Sequence, residues 1–319
     1  MKRFRLSSCS ARKPECRLRG LPGAVLAGFL LAGMARAQPA PVADVHLHFN
    51  WDQQEVIAAE EAVERLRANG VGLAVVSGVP ASRALLLREA GGPWIIPFFS
   101  PYIHHRGRVD WFRDPRVVKR ARAALESGRY HGIGEVHFIA GVGPPWDNPV
   151  FQGLLELAGE FGVPVQIHTE SSSHEYFEPV CRANPEIRFL WAHAGAYLGP
   201  EEVGALMAAC DNVWTEFSAR DPWRYGGFAT EDGRLSPEWV EVLQRFPGRF
   251  MIGSDPVWPP GSLFRWDVAD TGWDRLGQFL DYHRGWLRRL PSDLADRIRW
   301  ENARAFFADH PARGNPDRP

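Results

Sequence analysis

Six residues of this 319-residue chain have side chains of the kind that hold divalent metals, and they recur at one kind of place. His46 and His48 stand two apart in Asp44-Val45-His46-Leu47-His48, so on an extended strand both imidazoles leave the same face. Glu135 follows Gly132-Ile133-Gly134, His168 ends Val165-Gln166-Ile167, His193 ends Phe189-Leu190-Trp191-Ala192, and Asp255 ends Met251-Ile252-Gly253-Ser254. A His-x-His pair alone is a weak signal in a chain with 11 histidines. Four further ionisable residues, each closing an apolar run, make a stronger one, because an imidazole or carboxylate at the end of a buried strand is costly unless paired or metal-bound. Four His, one Glu and one Asp supply the nitrogen and oxygen donors that suit Zn²⁺, with Mn²⁺ and Fe²⁺ also accommodated. One or two such ions per chain would lower the pKa of bound water towards about 7 and polarise a carbonyl or phosphoryl oxygen.

Side chains placed this way need a scaffold that brings strand ends together. Apolar runs suited to strands lie at residues 43–49, 71–76, 94–100, 132–138, 164–169, 188–193, 212–217 and 249–254. Most are continuously apolar rather than alternating, as in a parallel sheet covered by helices. Helical periods fall between them at 53–69, 82–89, 115–127, 149–161, 175–184, 201–209 and 237–246, and two more helices, 273–290 and 293–308, close the chain. Eight βα units without a break predict a (β/α)8 TIM barrel spanning residues 38–310, with a disordered tail at 311–319. In such a barrel all six residues reach the C-terminal mouth, where the βα loops also hold substrate-contacting groups. By that placement Tyr102, His137, Glu216, Arg220 and Trp258 are expected to bind substrate, with His104 and His105 near Tyr102. The bland readings are that Glu216 and Arg220 pair with each other and that His137 is an ordinary hydrogen-bonded strand-end histidine. Among 13 tryptophans, Trp146, Trp214, Trp223, Trp258 and Trp266 point to an aromatic-lined mouth, although most tryptophans belong to packing.

Residues 1–37 are unlike the rest: seven Lys and Arg precede an apolar run from Leu21 to about Gly33, followed by Ala35-Arg36-Ala37. This is the pattern of a secretory signal peptide cut after Ala37, and it places the mature chain in the periplasm or outside the cell without stable membrane association. The apolar run is shorter than the roughly 20 residues a bilayer span needs. Eight of the 37 basic and one of the 38 acidic residues fall in that segment, leaving 29 and 37 and a net charge of −8. That balance disfavours nucleic acid as a partner and leaves a small-molecule substrate, with a homo-oligomer compatible. Cys181 and Cys210 remain in the mature chain, and two buried free thiols are the expected state.

The His-x-His of the first strand, the histidines of the fifth and sixth and the aspartate of the eighth resemble the amidohydrolase superfamily over nearly all of the mature chain. Pro164-Val165-Gln166-Ile167-His168-Thr169-Glu170, Trp191-Ala192-His193-Ala194-Gly195 and Glu301-Asn302-Ala303-Arg304-Ala305-Phe306-Phe307 look like its aminocarboxymuconate-semialdehyde-decarboxylase-like branch. Glu135 departs from the single-metal members of that branch and is similar to the bridging carboxylate of TatD-type and phosphotriesterase-like two-metal enzymes. Many two-metal relatives bridge through a carbamylated lysine, but the mature chain has one lysine, Lys119, in a helical stretch, so Glu135 is the bridge the sequence offers. Its alternative role is to orient a ligand histidine. The resemblance implies that Asp255 takes the proton of the attacking water and passes it to the leaving group. His193 would hold a second metal or stabilise the oxyanion. Hydrolysis of a small ester, lactone, amide or phosphoester is the expected activity. Non-oxidative decarboxylation of a small aromatic acid is the second reading, a TatD-type nuclease the third, and a non-catalytic ligand-binding barrel the fourth.

Overall fold

The computed structural model describes residues 40–51, 53–170, 172–257 and 272–307. β1 (Val42–His48), β2 (Val71–Ser77) and β3 (Ile95–Pro97) pair in parallel in that order. β4 (Ile133–His137), β5 (Val165–His168), β6 (Phe189–Trp191), β7 (Val213–Glu216) and β8 (Phe250–Met251) do the same. Two bridges close the ring: Phe99 pairs with Ile133 and Asp44 with Ile252. At these seams the Phe99 N–H donates to the Gly132 carbonyl at 2.8 Å and the Val45 N–H to the Ile252 carbonyl at 3.1 Å. The chain is therefore a (β/α)8 barrel, as its alternating pattern predicts. Because the sheet is covered on its outside, β1 is buried at all seven positions.

Helices return the chain from each strand to the next. After β1 come α1 (Gln53–Val56) and α2 (Ala59–Ala68), then α3 (Ser82–Gly91) after β2 and α4 (Arg116–Glu126) after β3. The remaining connections use α5 (Pro149–Phe161), α6 (His174–Ala183), α7 (Pro200–Ala209) and α8 (Pro237–Arg245). Local chemistry sets these ends. Before α5 the Asn148 side chain accepts from the Val150 and Phe151 N–H groups, Pro149 supplies a preset φ, and Gly162 stops the helix at φ 63°. The single helix expected over 53–69 is two, because Ala58 takes an extended ψ of 155° between α1 and α2 and the buried Ile57 turns inward beside it.

α9 (Leu276–Leu287), α10 (Ser292–Asp296) and α11 (Asn302–Phe306) end the described chain. α11 closes the barrel at the end opposite the strand termini that carry the histidines. Asn302 donates to the Pro247 and Phe250 carbonyls at 2.9 and 2.8 Å, and Arg188 to the Phe306 carbonyl, all at the beginnings of β6 and β8. Ala303, Phe306 and Phe307 join Ala43, Val45, Val75, Ile96, Phe98, Leu190 and Met251 in one apolar cluster. No helix among the described residues is long and apolar enough to cross a membrane. Residues 1–37, expected to be a signal peptide, the tail 311–319, Trp258 and Trp266 lie outside the described residues.

The expectation of two free thiols is wrong. Cys181 in α6 and Cys210 after α7 form a disulfide, their Cα atoms 6.1 Å apart. Sequence spacing carries no such information; the packing of α6 on α7 creates the proximity. Crosslinking residues 29 apart restricts the unfolded chain by about 3 kcal/mol. Replacing both cysteines by serine is therefore expected to lower the urea-unfolding free energy by roughly that amount. An unchanged midpoint and slope would show that the crosslink adds nothing.

Candidate active site

The strand ends deliver all six predicted ligand residues to one buried cluster. The Nε2 atoms of His46 and His48 lie 3.1 Å apart. Glu135 Oε1 stands 2.7 Å from His168 Nδ1, 3.5 Å from His193 Nε2 and 3.6 Å from His46 Nε2, while its Oε2 is 3.4 Å from His48 Nε2. Asp255 Oδ1 is 3.4 Å from His48 Nε2 and 3.9 Å from His46 Nε2. Three overlapping donor groups result: His46 with His48 and Asp255, His46 with Glu135 and His193, and Glu135 with His137 and His168.

Glycine makes this convergence possible at two points. A Cβ on Gly253 would lie 2.7 Å from His46 Cβ and 2.8 Å from Glu216 Oε2. Gly134 has φ 150°, and a Cβ there would meet Gln166 Cβ at 2.6 Å. Gly253, two residues before Asp255, and Gly134, next to Glu135, must therefore lack side chains for those carboxylates to reach the cluster.

Glu216 sets the orientation of two histidines from behind. It is fully buried, and its Oε1 accepts from His46 Nδ1 at 2.8 Å and from the His193 backbone N–H at 2.9 Å. Oε2 accepts from the Ser218 N–H at 2.5 Å. Burial alone would raise its pKa, but the charge of His46 and these hydrogen bonds hold it down at about 2. His193 Nδ1 sits 3.0 Å from the Ser218 carbonyl and 2.8 Å from its hydroxyl. Ser77 Oγ holds His48 Nδ1 at 3.0 Å. Asp44 Oδ1 accepts the Ser254 N–H at 2.9 Å, anchoring the residue before Asp255 to β1.

This network tests whether a metal fits. A carboxylate faces His46 Nδ1 and a carbonyl faces His193 Nδ1, so both Nδ1 atoms carry hydrogens and the two Nε2 lone pairs face Glu135. Lone pairs and a carboxylate oxygen converging in this way repel unless a cation joins them. Burial opposes a charge on His46, yet Glu135, Glu216 and Asp255 together raise its pKa to about 10, so the site's field favours positive charge. His168 Nε2 and Asp255 Oδ1 are buried without hydrogen-bond partners. The donor set therefore fits a divalent ion.

The substrate-binding expectations fare differently. Tyr102 and His137 are beside the cluster: the Tyr102 hydroxyl accepts the His137 backbone N–H and meets His137 Nδ1, each at 2.7 Å, and the His137 ring stacks on that of His168 at 4.5 Å. Glu216 does not line the mouth; it is consumed in orienting His46 and His193. Arg220 does not line it either, and the two do not pair. The Arg220 guanidinium is buried over the Trp239 ring at 5.3 Å and donates to the Leu198 carbonyl at 2.9 Å, tying βα loops together.

The sequence reading passed over three side chains that the fold brings here. Glu170 lies two residues beyond His168 with Oε2 3.7 Å from His168 Nε2, a position its place in the His168-Thr169-Glu170 run signals. Ser218 repeats that pattern after Glu216. Tyr225, whose ring is 5.3 Å from that of His193, lies nine residues beyond β7 and has no local signature.

The amidohydrolase family model matches residues 104–308, and the chain belongs to that family. Among solved structures, a Zn-bound amidohydrolase from Burkholderia multivorans is 17% identical, with a TM-score of 0.54 over 84% of this chain and 99% of that one. A TIM-barrel protein from Bordetella bronchiseptica is 13% identical, TM-score 0.54, over 85% of this chain and 99% of that one. A dihydroxybenzoic acid decarboxylase from a Polaromonas species, with bound manganese and an inhibitor, is 11% identical, TM-score 0.51, over 84% and 97%. At these identities the likeness is one of fold. No curated protein matches the sequence.

Two measurements probe the support of the site. Glu216→Gln removes the charge and one of the two acceptor oxygens that hold His46, His193 and Ser218, and is expected to weaken metal affinity about 10–100-fold by chelator competition; unchanged affinity would refute the orienting role. His283 donates from Nε2 to the Gly253 carbonyl at 2.8 Å, and burial lowers its pKa to about 4. The unfolded chain takes up this proton near pH 6.5, so between about 6.5 and 4 it binds more protons than the folded one and stability is lost as the pH is lowered. His283→Gln should flatten that fall in urea melts at pH 7 and 5; an identical pH slope would contradict it.

Proposed function

We propose that this amidohydrolase-family enzyme is a metal-dependent hydrolase of a small ester, lactone, amide or phosphoester. The reading rests on the placement of Glu135, one carboxylate within 3.6 Å of donor atoms on four histidines. His46, His48 and Asp255 would hold one ion, His168 and His193 a second, and Glu135 would join them. An ion held there supplies Lewis acidity, which makes water a nucleophile at neutral pH and polarises the oxygen under attack. Asp255, whose Oδ1 is buried without a hydrogen-bond partner, would take a proton from water and return it to the leaving group. Glu216 and Ser218 keep His46 and His193 in one tautomer and one orientation throughout.

Arg220 and Arg224 are committed to backbone carbonyls and to Asp221, so they serve the βα loops rather than a substrate anion. The disulfide supports the extracytoplasmic location proposed from the signal-like residues 1–37.

Elemental analysis of the purified mature protein is the deciding measurement. About two metals per chain in the wild type and about one in Glu135→Ala are expected, with Asp255→Asn lowering kcat by about 10²–10⁴ on any hydrolysed substrate. Metal content unchanged by His46→Ala with His48→Ala would overturn the site. Release of CO₂ from aromatic carboxylic acids, with esters, lactones, amides and phosphoesters untouched, would replace hydrolysis by decarboxylation.

A further inference from the structure

The apolar surface of this barrel is one-sided. Every large apolar side chain that is exposed among the described residues, Trp51, Ile103, Trp146, Tyr197 and Trp223 among them, lies in a segment that follows a β-strand. These segments surround the end of the barrel where the ligand cluster sits. Single exposed apolar residues are ordinary when scattered; their confinement to one face is not. Tyr197 is the most exposed, at 61%.

Two of the rings lead outward from the cluster. The Tyr225 ring centroid is 5.3 Å from that of His193, and Tyr197 packs edge-on against Tyr225 at 5.1 Å with an interplanar angle of 80°. The backbone is constrained so as to hold them. Ala196, with φ 58°, precedes Tyr197, and the Tyr225 N–H donates at 2.9 Å to the carbonyl of Ala219, with φ 56°. Arg224, next to Tyr225, donates to the Asp255 and Ser254 carbonyls and to Asp221, pinning this loop to β8. The Tyr225 hydroxyl makes no hydrogen bond with any described residue, so a neutral donor and acceptor stands beside His193.

We propose that Tyr225 and Tyr197 form the wall that receives a planar apolar ring of the substrate, which assigns the substrate class as uncharged aryl- or ring-bearing esters, amides and lactones. The inference rests on the hydrolytic reading and narrows it. The ring lies against Tyr197, which is exposed and packs edge-on against Tyr225, and the Tyr225 hydroxyl donates to the oxygen of the group being cleaved. In the reaction water adds to the carbonyl carbon, the bond from carbon to the leaving oxygen or nitrogen breaks, and the proton taken by Asp255 goes to that leaving atom. Products are an acid and an alcohol or amine, and no oxidant or reductant takes part. Phosphoesters, which carry charge, fall outside this class.

The test separates ring recognition from turnover. Acetophenone and 2-octanone are uncleavable methyl ketones with the same number of carbons, and their affinities for the metal-loaded protein are to be compared by ligand-observed NMR titration. Acetophenone is expected to bind about five- to tenfold more tightly in the wild type, the advantage falling to about twofold or less in Tyr197→Ala. Tyr225→Phe should weaken both ketones by a similar factor of roughly three to ten and keep the ring preference. Equal affinities in the wild type, or an unchanged preference in Tyr197→Ala, would overturn the wall. So would a preference lost only together with a change of oligomeric state on gel filtration. Benzyl acetate and butyl acetate then report turnover: ring preference without hydrolysis of either, or of amides and lactones, would leave the wall standing and sink the hydrolytic reading.

Discussion

Glu216 is a carboxylate with no exposure to water, and it survives there only because each of its oxygens is used. His46 Nδ1, the His193 amide and Ser218 all donate to it, and the charge it keeps is what fixes the hydrogen on His46 Nδ1 and turns the Nε2 lone pair into the cluster. Without that anchor two imidazoles from strands on different sides of the ring would be free to choose tautomers independently. The donor set is thus ordered before any ligand arrives, and the order is imposed from β7, a strand that supplies no proposed metal ligand of its own.

The geometry around Glu216 is bought with backbone strain, all of it at one end of the barrel. Glu170, His193, Ala194, Ala196, Ala219 and Asp255 are the described non-glycine residues with positive φ, and they follow β5, β6, β7 and β8. Each such residue costs about 1–2 kcal/mol. Core burial offsets it: Trp191, Trp273, Trp286 and Phe217 are fully buried, each worth roughly 1.5–3 kcal/mol, and α11 seals the end of the ring opposite the cluster. Packing of the surrounding core is what holds such residues where their own backbone preferences would not put them.

Much of this could be read in the sequence because both signals are local. A strand buried on both faces is continuously apolar, and an ionisable residue that ends such a run stands out, as Glu135, His168, His193 and Asp255 do; His46 and His48 stand out instead as a pair on one strand face. The rule fails for residues whose role depends on distant partners. Glu216 and Arg220 occupy the right positions along the chain but turn towards His46 and towards backbone carbonyls, directions that only the closed barrel determines. Tyr225 is carried in by a loop with no periodic pattern. Cys181 and Cys210 meet because α6 packs against α7, and nothing in their spacing says so. The break at Ala58 is likewise tertiary, since the helical pattern of residues 53–69 runs through it.

Arg224 is bonded to the carbonyls of Ser254 and Asp255, so the loop after β7 and the end of β8 move as one piece. In most barrels of this kind the loops are modules, exchangeable without disturbing the residues that carry out the reaction. Here a loop transplant that omits Arg224 would also release the peptide that aims the proposed proton carrier. The evolutionary routes open to this fold are narrowed accordingly: a descendant acquires a new substrate by changing side chains on a conserved loop, and seldom by replacing the loop.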